Sequence, residues 1–240
     1  MSVIKVENLK KNYNTHVILD DITFEIEKGE IVAIIGPSGA GKTTLMRCIA
    51  SLEKPNDGRI YFKGRDITEN KKHVRGKIGM IFQEFNLIPR LTVLMNVLTG
   101  RLGYSNKIAS LFGIFSKDDI EIAVSNIKRV GLYSKINEKV SKLSGGQRQR
   151  VGIARALTQE PDIILADEPV SNLDPKTSEK ILSDLVKISK EDELAVIMTL
   201  HQLNYAKKFA DRIIGLNKGR IVFEGSPSEL TYNVVKRIYA

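Results

Sequence analysis

The chain has 240 residues, 42% of them hydrophobic, and 37 Lys and Arg against 28 Asp and Glu, for a net charge of +9; that is enough apolar material for one compact unit or two small lobes. Apolar stretches such as Ile31 to Ile35 and Ile163 to Ala166 fall far short of the ~18–20 residues that span a bilayer, and the opening residues lack the apolar core of a signal peptide, so the expectation is a soluble cytosolic protein. The positive charge suits nucleic acid, an anionic membrane face or a solvated surface alike, but it clusters only weakly, at Lys71 to Arg75 and Arg148 to Arg150, and without tryptophan no basic and aromatic platform for bases stands out.

Short β-branched segments punctuated by glycine predict strands at Ile4 to Val6, Ile22 to Ile26, Ile31 to Ile35 and Ile60 to Phe62. After Gly41, Leu45, Met46, Ile49 and Leu52 recur at helical spacing, giving strand, glycine loop, helix. Within that helix the lone cysteine, Cys48, reads as a small buried residue. From about Leu87 to Val140 the pattern is helical, broken at Gly100, Gly103 and Gly113. Strands return at Ile163 to Ala166, Ala195 to Thr199, Ile213 to Asn217 and Arg220 to Phe223, with Lys218-Gly219 as a hairpin turn between the last two. A helical stripe of Ile181, Leu182, Leu185 and Ile188 lies between strands, the alternation of a parallel α/β sheet.

Gly36-Pro37-Ser38-Gly39-Ala40-Gly41-Lys42-Thr43-Thr44 contains G-x-x-x-x-G-K-[ST] between a predicted strand and a predicted helix. Glycines let successive backbone N–H groups point at phosphate oxygens, the helix start adds its positive dipole end, Lys42 reaches β and γ phosphates, and Thr43 suits magnesium. A nucleoside triphosphate is the expected ligand. The strand Ile163 to Ala166 ends in Asp167-Glu168, two carboxylates at the sheet edge where ligands of such folds sit. Asp167 is expected in the magnesium shell, and Glu168 is placed to orient and deprotonate an attacking water; the structural alternative is a solvated strand end.

Leu143-Ser144-Gly145-Gly146-Gln147 precedes a predicted helix, Arg148 to Leu157. Ser144 and Gln147 fit a capping box, a purely structural reading. Two glycines at a helix start also leave N–H groups open to an anion, and with the first loop committed to one triphosphate this second site is best used across an interface.

With these motifs in order, the sequence resembles the ATP-binding subunits of ABC transporters over essentially its full length. The resemblance implies that Tyr13 stacks on adenine, that Gln83 links magnesium to the transporter contact, that Ser171 to Asp174 is a loop crossing a dimer, with Asp174 at the nucleotide, and that His201 senses the γ-phosphate. It implies an α/β P-loop NTPase (RecA-like) core with an antiparallel β subdomain and an inserted α-helical subdomain: one ATP-binding domain, with 1–86 and 155–240 as core and β subdomain and 87–154 as the helical part. It implies an ATPase using ATP and Mg2+, with Lys42, Gln83, Glu168 and His201 catalytic. Two chains, identical or similar, would pair head to tail, each nucleotide lying between one chain's Lys42 loop and the other's Ser144 to Gln147. Partners would be two transmembrane permease subunits and, indirectly, an external solute-binding protein, at the cytoplasmic face of the membrane and without nucleic acid. The basic surface suits work beside anionic lipids.

Within the family the sequence is most similar to the ATP-binding subunits for phosphonate import, through Asn96 to Tyr104, Ser110 to Asp118, Val151 to Leu157 and Ala166 to Val170. Many relatives carry Thr in place of Val170, and Asn172 departs from the usual small residue. The apolar Leu111 to Phe115 is either a partner-docking segment or core. Phosphonate rests on resemblance alone, so phosphite, methionine, or an export or cell-division system stay open as alternatives, with a nucleic-acid-linked ATPase as the remote one.

Overall fold

The computed structural model describes residues 2–69, 74, 76–104 and 114–240. Its strands are β1 (Ser2–Tyr13), β2 (His16–Glu27), β3 (Ile31–Ile35), β4 (Asp57–Phe62), β5 (Arg65–Asp66), β6 (Ile78–Ile81), β7 (Ile163–Ala166), β8 (Ala195–Thr199), β9 (Arg212–Asn217) and β10 (Arg220–Gly225). Its helices are α1 (Lys42–Ile49), α2 (Val93–Leu98), α3 (Lys117–Arg129), α4 (Gly145–Leu157), α5 (Pro175–Glu191), α6 (Leu203–Phe209) and α7 (Tyr232–Tyr239).

Among the described residues the strands form two sheets: a four-stranded antiparallel one, ordered β2-β1-β4-β5, and a six-stranded one, ordered β10-β9-β3-β8-β7-β6, parallel except for β10. The expected α/β fold is present. Every residue of β3, β7 and β8 is buried, which is why these strands read as continuous apolar runs rather than alternating ones. Alternate residues nevertheless serve opposite faces. Ile31, Ala33 and Ile35 join Ile164, Val196 and Met198 in a core shared with α2 to α6. Val32 and Ile34 join Ile163, Leu165 and Ile197 in a second core, closed by α1 and the antiparallel sheet. A fully buried isoleucine here contributes roughly 1.5–3 kcal/mol.

The structure extends and corrects the expected elements. β1 and β2 each run for 12 residues; left-handed backbone at Asn8 and Asp21 (φ 47° and 59°) and several register shifts break the period-two pattern beyond the segments expected. Strand β6 was not expected. Its Gly79 weakens the strand signal, but a Cβ there would sit 3.2 Å from the Ala156 carbonyl, so the glycine lets α4 lie close. Gly100 does not break the helical track: it sits inside a 3-10 turn, Thr99–Gly103, that continues α2, with a Cβ position 2.5 Å from the Arg155 carbonyl. The helix expected from Arg148 begins three residues earlier, at Gly145. Lys218 and Gly219 both have positive φ (46° and 75°), the hairpin turn expected.

Most of the Lys71 to Arg75 cluster, Gly113 and the stretch from Leu111 into Gly113 lie outside the described residues; Ile114 is exposed and Phe115 packs on the first core. In the other basic cluster Arg150 donates to Asp184 at 2.6 Å and to the Val130 carbonyl at 3.1 Å, so its charge is used internally. Among the described residues no helix is long and apolar enough to cross a membrane.

Candidate functional site

The loop after β3 is shaped by glycines. A Cβ on Gly36 would lie 2.0 Å from the Leu216 carbonyl, and Gly41, the left-handed cap of α1 (φ 102°), has no room beside Ile18 and Leu19. No side chain caps α1, so its first amides face the loop. Lys42, buried, folds its ammonium over the loop to donate to the carbonyls of Gly36 (2.9 Å) and Pro37 (3.0 Å). Burial lowers its pKa, opposed by the nearby charges of Glu168 and Asp167.

A cavity of about 270 Å³ opens on this loop, lined by Ile18, Ser38, Gly39, Gly41, Lys42, Thr43, Thr44 and Glu168. A second, of about 330 Å³, shares Thr43 and is lined by Gln83, Asp167, Arg47, Phe82, Glu84 and Asn86 among others. The two acids therefore face different neighbours. Asp167, 5% exposed, accepts from the hydroxyls of Thr199 (2.9 Å) and Thr43 (3.3 Å). Burial raises its pKa, and those hydroxyl bonds oppose the rise. Glu168 is in left-handed backbone (φ 47°); its amide donates to Thr199 Oγ1 at 2.8 Å, and its Oε1 lies 2.5 Å from His201 Nε2.

Tyr13 lines neither cavity; it is 45% exposed, with its hydroxyl on Glu53 and near Thr44 in the first turn of α1. Ser144, Gly145, Gly146 and Gln147 line neither cavity. They start α4 in a reciprocal capping box, the Ser144 amide donating to Gln147 Oε1 (3.0 Å) and the Gln147 amide to Ser144 Oγ (3.3 Å). Asp174 caps α5, accepting from the Thr177 amide at 3.0 Å, and that side-chain bond lowers its pKa. The two turns pack together: a Cβ on Gly145 would be 3.0 Å from Leu173 and one on Gly146 2.5 Å from Thr177.

Magnesium suits the donors at the shared edge of the cavities, where the Thr43 hydroxyl, the Asp167 carboxylate and the Gln83 amide are hard ligands. Among the described residues no group of three or more His, Cys, Asp or Glu is placed to hold a metal ion. A larger cavity of about 480 Å³, between α3 and the ends of α4 and α5, lies away from these groups, and its Arg129 is paired with Asp192.

The family model for ABC transporters matches residues 19–171. The chain belongs to the ABC transporter family. It is 46% identical over 241 residues to a phosphonates import ATP-binding protein of Thiobacillus denitrificans, covering 100% of this chain and 93% of that one. A second protein of that description, from Halalkalibacterium halodurans, is 46% identical and covers 99% of both chains. Among solved structures, an ATP-binding cassette of an ABC transporter superposes with a TM-score of 0.89 at 28% identity, covering 100% of this chain and 99% of that one. A dimeric post-hydrolysis cassette bound to ADP and Pi does so with a TM-score of 0.82 at 38% identity, covering 93% and 98%.

Three residues that brace the groups around these cavities were not singled out for that role from the sequence: Thr199, Arg155 and Arg148. The Thr199 hydroxyl donates to the Asp167 carboxylate and accepts from the Glu168 amide, because the register that pairs Leu165 with Ile197 and Ala166 with Met198 sets the polar end of β8 beside Asp167. Arg155 of α4 donates to the carbonyls of Phe85 (3.0 Å) and Asn86, both in left-handed backbone (φ 61° and 49°), and Arg148 covers the Phe85 ring at 5.5 Å. These two arginines tie the turn after Gln83 to the helix that begins at Gly145.

Proposed function

We propose that this chain binds and hydrolyses ATP to energise phosphonate uptake across the cytoplasmic membrane. The observation that carries the hydrolytic part is the convergence of Lys42, Thr43 and Glu168 on one cavity, with His201 on Glu168 and Asp167 one residue away. The cargo rests on the phosphonate-import relatives matched over nearly their whole length.

In this reading the backbone N–H groups between Ser38 and Thr44, at the α1 start, bind the triphosphate, and Lys42 exchanges its carbonyl partners for β- and γ-phosphate oxygens. Thr43, Asp167 and Gln83 hold magnesium, which when bound neutralises phosphate charge. Glu168 takes a proton from the attacking water, and His201 holds that carboxylate while facing the γ-phosphate. Tyr13 stacks on the base. Ser144 to Gln147 and Asp174 line neither cavity of their own chain, which supports their use against a second chain's nucleotide in a head-to-tail dimer of identical or similar subunits. We assign residues 1–86 and 155–240 to the core with its β subdomain and 87–154 to a helical subdomain. The Gln83 turn and that subdomain meet two permease subunits at the cytoplasmic face, with an external solute-binding protein acting through them.

The test is growth of a strain lacking the gene, complemented with wild type or Lys42→Ala, on a simple phosphonate or on phosphate as sole phosphorus source. Only the wild type is expected to restore growth on phosphonate, while all strains grow on phosphate. Equal growth of all strains on phosphonate, with no redundant importer, would overturn the cargo assignment.

A further inference from the structure

Tyr13 does not stand alone at the edge of the nucleotide site. Its hydroxyl donates to Glu53 Oε1, and the same oxygen accepts the Lys11 ammonium at 3.1 Å. Lys11 Nζ also lies over the Tyr13 ring, 5.1 Å from its centroid, and donates to the Lys54 carbonyl at 2.7 Å. The side chains of Lys11 and Glu53 are only 12% and 19% exposed, so this is a largely desolvated cluster rather than a loose surface pair. Tyr13 and Lys11 come from the end of β1, whereas Glu53 follows α1, its amide bonded to the Arg47 carbonyl at 3.2 Å. Thr44, on the first turn of α1, is a further neighbour of the Tyr13 hydroxyl. The cluster thus ties the antiparallel sheet to the helix that carries the phosphate loop.

We propose that Lys11 and Glu53 are positioning residues for nucleotide recognition: they orient the Tyr13 ring, leave one face open to the base, and set its distance from the phosphate loop. The proposal rests on the reading of Tyr13 as the base-stacking residue. Lys11 covers one face, so a base has only the other. The short tether from the hydroxyl to Glu53 stops the ring from rotating away, and a ring held in its bound orientation loses less freedom when the base arrives. The carboxyl of Glu53 is held below the usual range: burial pushes it up, and the bonds from Tyr13 and Lys11 outweigh that. Glu53 therefore stays ionised as the shared acceptor at neutral pH.

The experiment measures KM for ATP, kcat, and inhibition by inorganic triphosphate, which has the phosphates but no base, in wild type, Tyr13→Ala, Tyr13→Phe, Glu53→Ala, Lys11→Met and Lys11→Arg. Tyr13→Ala is expected to raise KM for ATP by about tenfold or more, in line with base–aromatic stacking. Glu53→Ala, Lys11→Met and Tyr13→Phe should each raise it roughly three- to tenfold with kcat largely retained. Triphosphate inhibition should stay within about twofold of wild type, and Lys11→Arg should restore most of the affinity because a guanidinium also covers the ring. Tyr13→Phe with Glu53→Ala should be no worse than either alone. If Tyr13→Ala leaves KM unchanged, the stacking reading itself fails. If Tyr13→Ala weakens ATP while the Glu53 and Lys11 variants match wild type, or weaken triphosphate as much as ATP, the positioning role is overturned and stacking stands.

Discussion

His201 Nε2 lies 2.5 Å from Glu168 Oε1, although the two residues sit on loops after different strands of the parallel sheet. The pairing fixes the orientation of the carboxylate assigned to water activation. Glu168→Gln keeps the shape but cannot take a proton, so it should bind ATP, lose hydrolysis by at least ~100-fold, and accumulate as an ATP-bound dimer in light scattering. His201→Ala should also lose hydrolysis, and the double variant should be no slower than the worse single one, because the two act as a unit. An active Glu168→Gln enzyme would remove Glu168 from its role.

Asp167 carries its carboxylate into a nearly solvent-free position. Burying a charge costs more than burying the isosteric amide, and Asn can still accept from Thr199. Asp167→Asn should therefore raise the nucleotide-free melting temperature at pH 7 by about 2–4 °C, the shift expected for roughly 1 kcal/mol in a chain of this size, while cutting magnesium-dependent hydrolysis by ~100-fold. Calorimetry and a phosphate-release assay measure the two; an unchanged or lower melting temperature contradicts the argument.

Gly146 meets Thr177 Cγ2, 2.5 Å from where a Cβ would stand. In an ordinary helix Gly→Ala stabilises by roughly 0.5–1 kcal/mol, but here the contact should reverse the sign, so that Gly146→Ala destabilises by about 1–2 kcal/mol. Thr177→Ser deletes the methyl and keeps the backbone bond to Asp174, so the double variant should recover most of the loss in urea unfolding. Additive losses would show that the contact is not the cause.

Burial pushes the Cys48 thiol up to about 11 from an ordinary 9.0. A raised folded value means that its contribution to stability is full below the unfolded value and is lost as pH rises towards 11. Iodoacetamide at pH 8 should leave native Cys48 unmodified and label it in urea. Between pH 9 and 11, wild type should lose more stability than Cys48→Ala, while the difference between them stays flat from pH 7 to 8. Rapid labelling of the native protein would contradict the burial.

The parallel strands and the phosphate loop were legible because β3, β7 and β8 are apolar throughout and glycine marks the one tight turn before Lys42. Strand β6 was not, because Gly79 serves α4 rather than its own strand. The acids at Asp167 and Glu168 were readable from the chain, but the hydroxyl that bonds the Asp167 carboxylate and the Glu168 amide comes from Thr199, which only strand pairing brings near. Arg155 looked like an ordinary helix residue; its partners are the carbonyls of a left-handed turn about 70 residues away, a geometry that no local pattern encodes. Lys11 and Glu53 meet only because the end of β1 packs beside the segment that follows α1.

The most direct measurement is ATP hydrolysis by a transporter assembled in proteoliposomes from this chain and the proposed permease subunits and solute-binding protein, with and without a phosphonate. A several-fold rise in hydrolysis with phosphonate-loaded binding protein, absent in the Glu168→Gln assembly, is the predicted result. Hydrolysis that ignores phosphonate but responds to a different cargo, or that persists in Glu168→Gln, would contradict the account.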